Sequence, residues 1–473
     1  MKIIPAIDLR DLLRAAAAAA AIAIFAPAAA GAGMTDAVKT ETLPNGLKVL
    51  VLENHKAPVA TFSVFFHVGS RNEAFGQTGL SHLLEHLMFK GTKKIKPEEF
   101  SNIIQENGGM DNAFTTSDFT DYFEVINKDH LDVPISLEAD RMANWEPKQF
   151  DEEKAVVEEE RRLRTDDNPE DALDELVRAQ AFVAHPYHWP VIGWMKDIQR
   201  LTLQDAIAYH QVYYSPQNAI IVAVGDFNSD QVLKQVAESF GAIKNGPKPP
   251  PMRDVEPPQE GERRVEMRHA ANLPAFEEAF HVPNLSNPDS FALEVASEIL
   301  ADGKSSRLYK KLVVEKRMVV SIGAGYDMTS FDPGLFVVSG QMRPGVKTES
   351  AIAEADHELA ALREKPVGAE ELQKAKNLEQ AQFVFTQDSI HEEAMLLGLY
   401  EMLGSYKLVD QYLAGIDKVT AADVQRVARQ YLVDSNRTLG VLVPTGVRPA
   451  GAGGGISGGQ IRHGEDGLSG VVR

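Results

Sequence analysis

The chain has 473 residues, enough for roughly two to four domains that each bury a core. Hydrophobic residues are 44% and charged residues 25%, a globular mix that excludes a fibrous or wholly disordered chain. With 48 Lys and Arg against 68 Asp and Glu, and no cysteine, the composition argues against a nucleic-acid partner and excludes disulfides, thiolate metal sites and a cysteine nucleophile.

At the N-terminus, Lys2, Arg10 and Arg14 precede an apolar run from Ala15 to Ala26, with small residues following. This pattern predicts a cleaved secretory signal over residues 1–32 and export, most simply to the periplasm of a Gram-negative bacterium; translation from Met34 would instead leave a cytoplasmic protein. The run is too short to span a bilayer and no other stretch of about 18 apolar residues occurs, so the mature chain is expected to carry no integral membrane segment.

A first lobe is predicted over residues 36–245. Strands are expected at Leu47–Leu52 and Phe62–Val68, then a helix at Gly79–Phe89 and a turn at Asn107-Gly108-Gly109. Ala113–Val125, rich in Thr, Phe and Tyr, reads as a strand, and Leu131–Trp145 and Glu152–Arg164 carry helical spacing. Tyr213-Tyr214-Ser215-Pro216 breaks a helix before a strand at Ala219–Gly225.

GPKPPPMRDVEPPQEG (Gly246–Gly261) is too proline-rich for either element, which predicts a linker over 246–262. Thr61–Ser70 (TFSVFFHVGS) and Ala275–Asn284 (AFEEAFHVPN) open the two halves alike, so the second lobe, 263–445, is expected to duplicate the first. The glycine-dense stretch 446–473 is expected to be a disordered tail. The fold class expected is α+β, with two lobes each built from a mainly antiparallel sheet covered by helices.

The sharpest local signal is His82-Leu83-Leu84-Glu85-His86. On a helix the histidines lie at i and i+4, so both imidazoles reach one zinc ion with Glu85 beside them as a base. The order H-x-x-E-H is the inverted form of the zinc-peptidase motif. A catalytic zinc takes a third protein ligand, and Asp151–Arg164 (DEEKAVVEEERRLR) offers Glu158, Glu159 and Glu160. Projected against Ala155, Val156, Val157 and Leu163 as the apolar stripe, Glu160 lies roughly 40° from its centre, Glu159 roughly 60° and Glu158 roughly 160°. The margin between Glu159 and Glu160 is thin. Glu153, seven residues before Glu160 on the same stripe, favours Glu160 as ligand with Glu153 supporting it from further out, while Glu158 is expected to face water.

GLSHLLEHLMFKGT (Gly79–Thr92), NGGMDNAFTTSDFTDYF (Asn107–Phe123), VVEEERRLR (Val156–Arg164) and HPYHWPVIGW (His185–Trp194) together resemble the pitrilysin/insulinase and mitochondrial-processing-peptidase family of inverted zincins, over about Val38 to Val443. The resemblance implies two lobes closing as a clamshell around a chamber, with one Zn2+ held by His82, His86 and Glu160 and water activated by Glu85. It also implies that Asn112, Ala113, Phe114 and Thr115 form the strand that pairs with substrate backbone, with Phe89 as a further substrate contact. The function expected is zinc-dependent hydrolysis of extended peptides; the alternative is an idle scaffold subunit of the same family.

The chain departs from complete members in one respect. They carry an Arg and a Tyr seven residues apart in the second lobe, where this sequence has Val313 and Val320. Neither valine side chain can donate a hydrogen bond. Arg307 and Tyr309 are near in sequence but differently spaced. A partner subunit of similar size that lacks H-x-x-E-H and supplies Arg and Tyr is therefore expected, with a homodimer using Arg307 or Tyr309 as the alternative.

Overall fold

The computed structural model describes residues 33–446; the predicted signal segment and all but the first residue of the predicted tail lie outside them. Strands β1 (Lys39–Thr42), β2 (Lys48–Glu53), β3 (Val59–Phe66), β4 (Met110–Thr115), β5 (Thr120–Asn127) and β6 (Ala219–Gly225) form one sheet in the order β1-β2-β6-β3-β5-β4. Strands β7 (Arg263–His269), β8 (Ala275–Val282), β9 (Val319–Tyr326), β10 (Gly334–Met342) and β11 (Arg437–Pro444) form a second, ordered β7-β11-β8-β10-β9.

With β1 set aside the two sheets have one topology. In each, the first and fifth strands pair in parallel and every other pair is antiparallel. The register repeats as well: Phe66 lies opposite Ala219 and Thr120, and Phe280 lies opposite Arg437 and Phe336. Asn218 donates from Nδ2 to the carbonyls of His67 (3.2 Å) and Tyr213 (2.9 Å); Asn436 does the same to His281 and Tyr431, both at 2.8 Å. The two lobes are structural repeats, as the shared Phe-His-Val predicted.

Helices α1 (Leu80–Met88), α2 (Glu99–Glu106), α3 (Asp132–Asn144), α4 (Phe150–Arg161), α5 (Pro169–Ala181), α6 (Met195–Ile198), α7 (Leu203–Tyr213) and α8 (Ser229–Phe240) belong to the first half. The second contributes α9 (Asp289–Ala301), α10 (Thr348–Glu364), α11 (Ala369–Thr386), α12 (Ile390–Met402), α13 (Val409–Lys418) and α14 (Ala421–Tyr431). Helices α7 and α14, which precede the repeated asparagines, start on the same capping box, Thr202/Asp205 and Thr420/Asp423. Among the described residues no helix is long and apolar enough to cross a membrane.

The halves interlock by exchanging helices. From the second half, α12 packs on β3 and β6 of the first sheet; from the first, α5 packs on β7, β8 and β11 of the second. Glycine permits both approaches. A Cβ at Gly398 would lie 2.2 Å from the Phe65 ring, and one at Gly440 would lie 2.3 Å from Val177. Apolar residues of both sheets consequently share one core, with Leu50, Phe65 and Val222 joining Phe276, Phe280 and Leu396.

The predicted single strand Ala113–Val125 is instead a hairpin, β4 and β5. Thr116 Oγ1 accepts the N–H groups of Asp118 and Phe119, each at 3.0 Å, and this side-chain turn reverses the chain in the middle of the Thr- and Phe-rich run. Asp118 then bridges the halves. It accepts from Arg71 (3.0 Å), the Tyr187 hydroxyl (2.7 Å) and the Phe331 N–H (3.0 Å), while Arg71 also pairs with Asp332 at 2.7 Å. Beside this clasp lies a cavity of about 470 Å³, walled by the hairpin turn, Asp174 and Arg178 of α5, and Gly323–Tyr326 of β9.

Candidate metal centre

Helix α1 is set by its start. Gly79 has φ +87°, and a Cβ there would meet the Ile192 carbonyl at 2.4 Å, so only glycine lets the chain enter the helix against this loop. Glu73 accepts the N–H groups of Gly79 (2.8 Å) and Ser81 (2.7 Å), satisfying donors that the helix leaves unpaired. Leu83, Leu84 and Leu87 are fully buried against the sheet, which turns His82, Glu85 and His86 toward α4 and β4.

Helix α4 is held in turn by Arg161, which donates to the Gly193 carbonyl (2.7 Å) and makes a two-pronged ion pair with Glu175. Its buried positions are Phe150, Glu153, Val157 and Arg161, with Glu160 nearly enclosed. The apolar stripe used for the projection is not the buried one. Val156 is 48% and Leu163 68% exposed, because the face that packs on α1 is the carboxylate face. Glu158, expected to face water, is half-buried beside Arg162, and Glu159 is the exposed member at 66%. After Arg161 the chain opens into one π-turn, Arg162–Asp166.

Among the described residues, His82, His86 and Glu160 form a group whose ligand atoms all lie within 4.8 Å of one another. Glu160 Oε2 is 3.3 Å from His86 Nε2 and 3.7 Å from His82 Nε2. Its other oxygen, Oε1, pairs with Arg164 at 3.0 Å. His82 Nδ1 is buried without a hydrogen-bond partner, and the Glu160 oxygens are buried with these close charged contacts. Two imidazoles and one carboxylate suit zinc and leave a fourth position open, so these residues fit the ion. Behind His86, Glu153 Oε2 lies 3.4 Å from Nδ1, and its other oxygen pairs with Lys90 at 3.0 Å.

Without metal the three groups divide their charge. Burial, aided by the neighbouring His86, pushes His82 down to about 4. Burial opposes charge on His86 too, but hydrogen bonds to Glu153 and Glu160 outweigh it and lift this imidazole to about 9. Glu160, also opposed by burial, is drawn down to about 2 by its bond to His86 and the charges around it.

Glu85 is buried on the same helix, and Thr115 Oγ1 donates to its Oε2 at 2.7 Å. The predicted substrate strand is β4, the edge of its sheet. Ala113 and Thr115 are buried toward α1, Phe114 points into the core shared with the second lobe, and Asn112 is half-buried. Phe89 closes α1 with its ring against Phe100, Tyr122 and the Arg141 guanidinium. In the second lobe Val320 is 41% exposed, Val313 packs against the core, and Arg307 is engaged with Glu371 at 2.8 and 2.7 Å. Thr115 as partner of Glu85, and Arg164 as partner of Glu160, were not foreseen; both sit within segments singled out for other reasons.

Residues 48–193 match the family description Insulinase (Peptidase family M16), and residues 200–379 match Peptidase M16 inactive domain. The "Zinc protease PqqE" of Helicobacter pylori is 36% identical over 411 residues, covering 85% of this chain and 92% of that protein. The chain belongs to peptidase family M16. A crystal structure of a protease from Helicobacter pylori superposes on this M16 chain with a TM-score of 0.83 at 34% identity, over 86% of this chain and 99% of the other. The probable mitochondrial-processing peptidase subunit beta of Arabidopsis thaliana is 25% identical over 422 residues, 86% of this chain and 78% of that one. As an M16 chain it has its H-x-x-E-H helix in the first repeat; α9, the first long helix after β8 in the second repeat, contains no histidine.

Proposed function

We propose that the chain is a zinc-dependent endopeptidase acting on extended peptides, with one zinc held by His82, His86 and Glu160. The observation that carries this reading is the convergence of those three side chains, with Glu85 on the same helix. Bound zinc acts as a Lewis acid that polarises a peptide carbonyl and brings the pKa of water at the site near 7. Glu85 takes the proton of the attacking water and returns it to the leaving amine nitrogen. Glu153 orients His86. The edge strand β4 holds the substrate by main-chain hydrogen bonds, giving affinity with little sequence demand. Phe89 and the backbone of residues 112–115 are the substrate contacts on this reading.

A tetrahedral intermediate needs donors aimed at its oxyanion, and loss of one costs about 10²–10³ in rate. Val313 and Val320 supply none, and Arg307 is engaged with Glu371, so the reading includes a partner subunit that supplies Arg and Tyr. The reading includes export to the periplasm, which the N-terminal pattern supports. The test is to purify the chain from its host with whatever remains bound, then assay flexible peptides with and without a chelator. Hydrolysis that stops on chelation and returns with zinc supports the reading; hydrolysis indifferent to chelation overturns it. Full activity of the chain alone, abolished by Arg307→Ala or Tyr309→Phe, overturns the partner.

A further inference from the structure

The terminal torsion of a glutamate is broad, so a general base on a long side chain needs a partner to fix which oxygen meets the water. Here the partner comes from the edge strand. β4 alternates its faces so that Ala113 and Thr115 point at α1, and Thr115, fully buried, donates to Glu85 Oε2 at 2.7 Å. Thr115 is itself indexed by the last register pair of the hairpin, opposite Thr120. The Thr120 hydroxyl lies 2.8 Å from the Val68 carbonyl and 3.4 Å from Thr115 Oγ1, so it spends its proton on the carbonyl and leaves the Thr115 proton for Glu85.

We infer that Thr115 is a positioning residue for the general base, its hydroxyl fixing the Glu85 carboxylate from the same strand that aligns the substrate. The inference rests on the proposed role of Glu85. Its consequence is that substrate and base share one reference: a peptide added along β4 pairs with the backbone of a strand whose buried face holds the base, so registering the peptide also registers the scissile carbonyl against Glu85. The Thr115 side chain is enclosed, so its part is played through Glu85 and not by touching substrate.

The experiment compares Thr115→Val, which keeps the shape and removes the hydroxyl, with Thr115→Ser, which keeps the hydroxyl, in the assembly that carries peptidase activity. Thr115→Val is expected to lower kcat by about tenfold or more while KM moves less than about twofold, with zinc content and melting temperature held. Thr115→Ser is expected to recover kcat to within about threefold of the parent. Wild-type kcat in Thr115→Val, an equal loss in Thr115→Ser, or a loss explained by departed zinc overturns the inference. Glu85→Gln run alongside separates the two readings. If Glu85→Gln is inactive and Thr115→Val is not, only the positioning role fails; if Glu85→Gln is active, the base assignment itself fails.

Discussion

Glu153 stands behind His86, its Oε2 3.4 Å from the imidazole Nδ1 and its Oε1 3.0 Å from Lys90. A carboxylate in that position fixes the tautomer that turns Nε2 toward Glu160 and raises the basicity of the ligand. Glu153→Gln is expected to weaken zinc binding by about 10- to 100-fold, the usual cost of such a partner. Competition against a chelator of known affinity measures it, and unchanged affinity would remove Glu153 from the site.

Glu160→Gln is expected to abolish stoichiometric zinc, because an amide oxygen replaces a charged one directed at both histidines. Glu159→Gln, at a position 66% exposed, keeps the metal. Metal analysis of the two purified variants decides; the reverse pattern would exchange the ligand assignment.

The helix carrying His82 and His86 was legible because i, i+4 spacing fixes two imidazoles on one face whatever surrounds the helix. Glu160 was singled out by a projection whose premise failed, although the structure does bring its carboxylate beside both histidines. Val156 and Leu163 are exposed, while Glu153, Val157 and Arg161 are buried on α4 and Glu160 nearly so, since the charges there are paired. Hydrophobic periodicity carries no record of a buried face built from carboxylates. The hairpin was missed because residues on both sides of Thr116 have strand propensity and the turn is made by one hydroxyl. The helix exchange between halves was not legible at all: Gly398 and Gly440 look like helix and strand interruptions until Phe65 and Val177 are seen against them.

Three half-buried histidines outside the candidate site, His67, His210 and His391, give the fold an acid-sensitive edge. Burial depresses His67 to about 4, a shift to which the Arg71 charge adds, His210 to about 3 and His391 to about 4. Between those values and the unfolded value near 6.5 the unfolded chain binds more protons, so stability rises with pH through this window and is lost as pH falls from about 6.5 toward 4. Each group contributes at most about 1.4 kcal/mol per pH unit. Buried carboxylates such as Glu73 and Glu278, both raised to about 8, pull the other way, so the measurement is a difference. His210→Phe, which keeps the stack between Trp145 and Tyr214, is expected to lose less stability than the parent between pH 6.5 and 4.5 in melting experiments. Parallel curves would contradict the neutral state of His210.

Arg141 is fully buried between Glu138 and Glu124 and lies over the rings of Phe100 (4.3 Å) and Tyr122 (4.4 Å). Arg141→Leu strands two carboxylates in the core. A loss of about 3–5 kcal/mol is expected in denaturant unfolding, as for other broken buried pairs. A loss under about 1 kcal/mol would contradict Arg141 as the charge partner that holds this buried cluster together.

Glu85 is the proposed base, and the most direct measurement is peptide hydrolysis by Glu85→Gln with its zinc content determined on the same sample. Gln keeps the shape and cannot take up a proton, so the variant is expected to hold zinc as the parent does and to lose at least about 10²-fold in kcat. A zinc-loaded Glu85→Gln protein that retains more than about a tenth of the parent rate would contradict the assignment of Glu85 as the base.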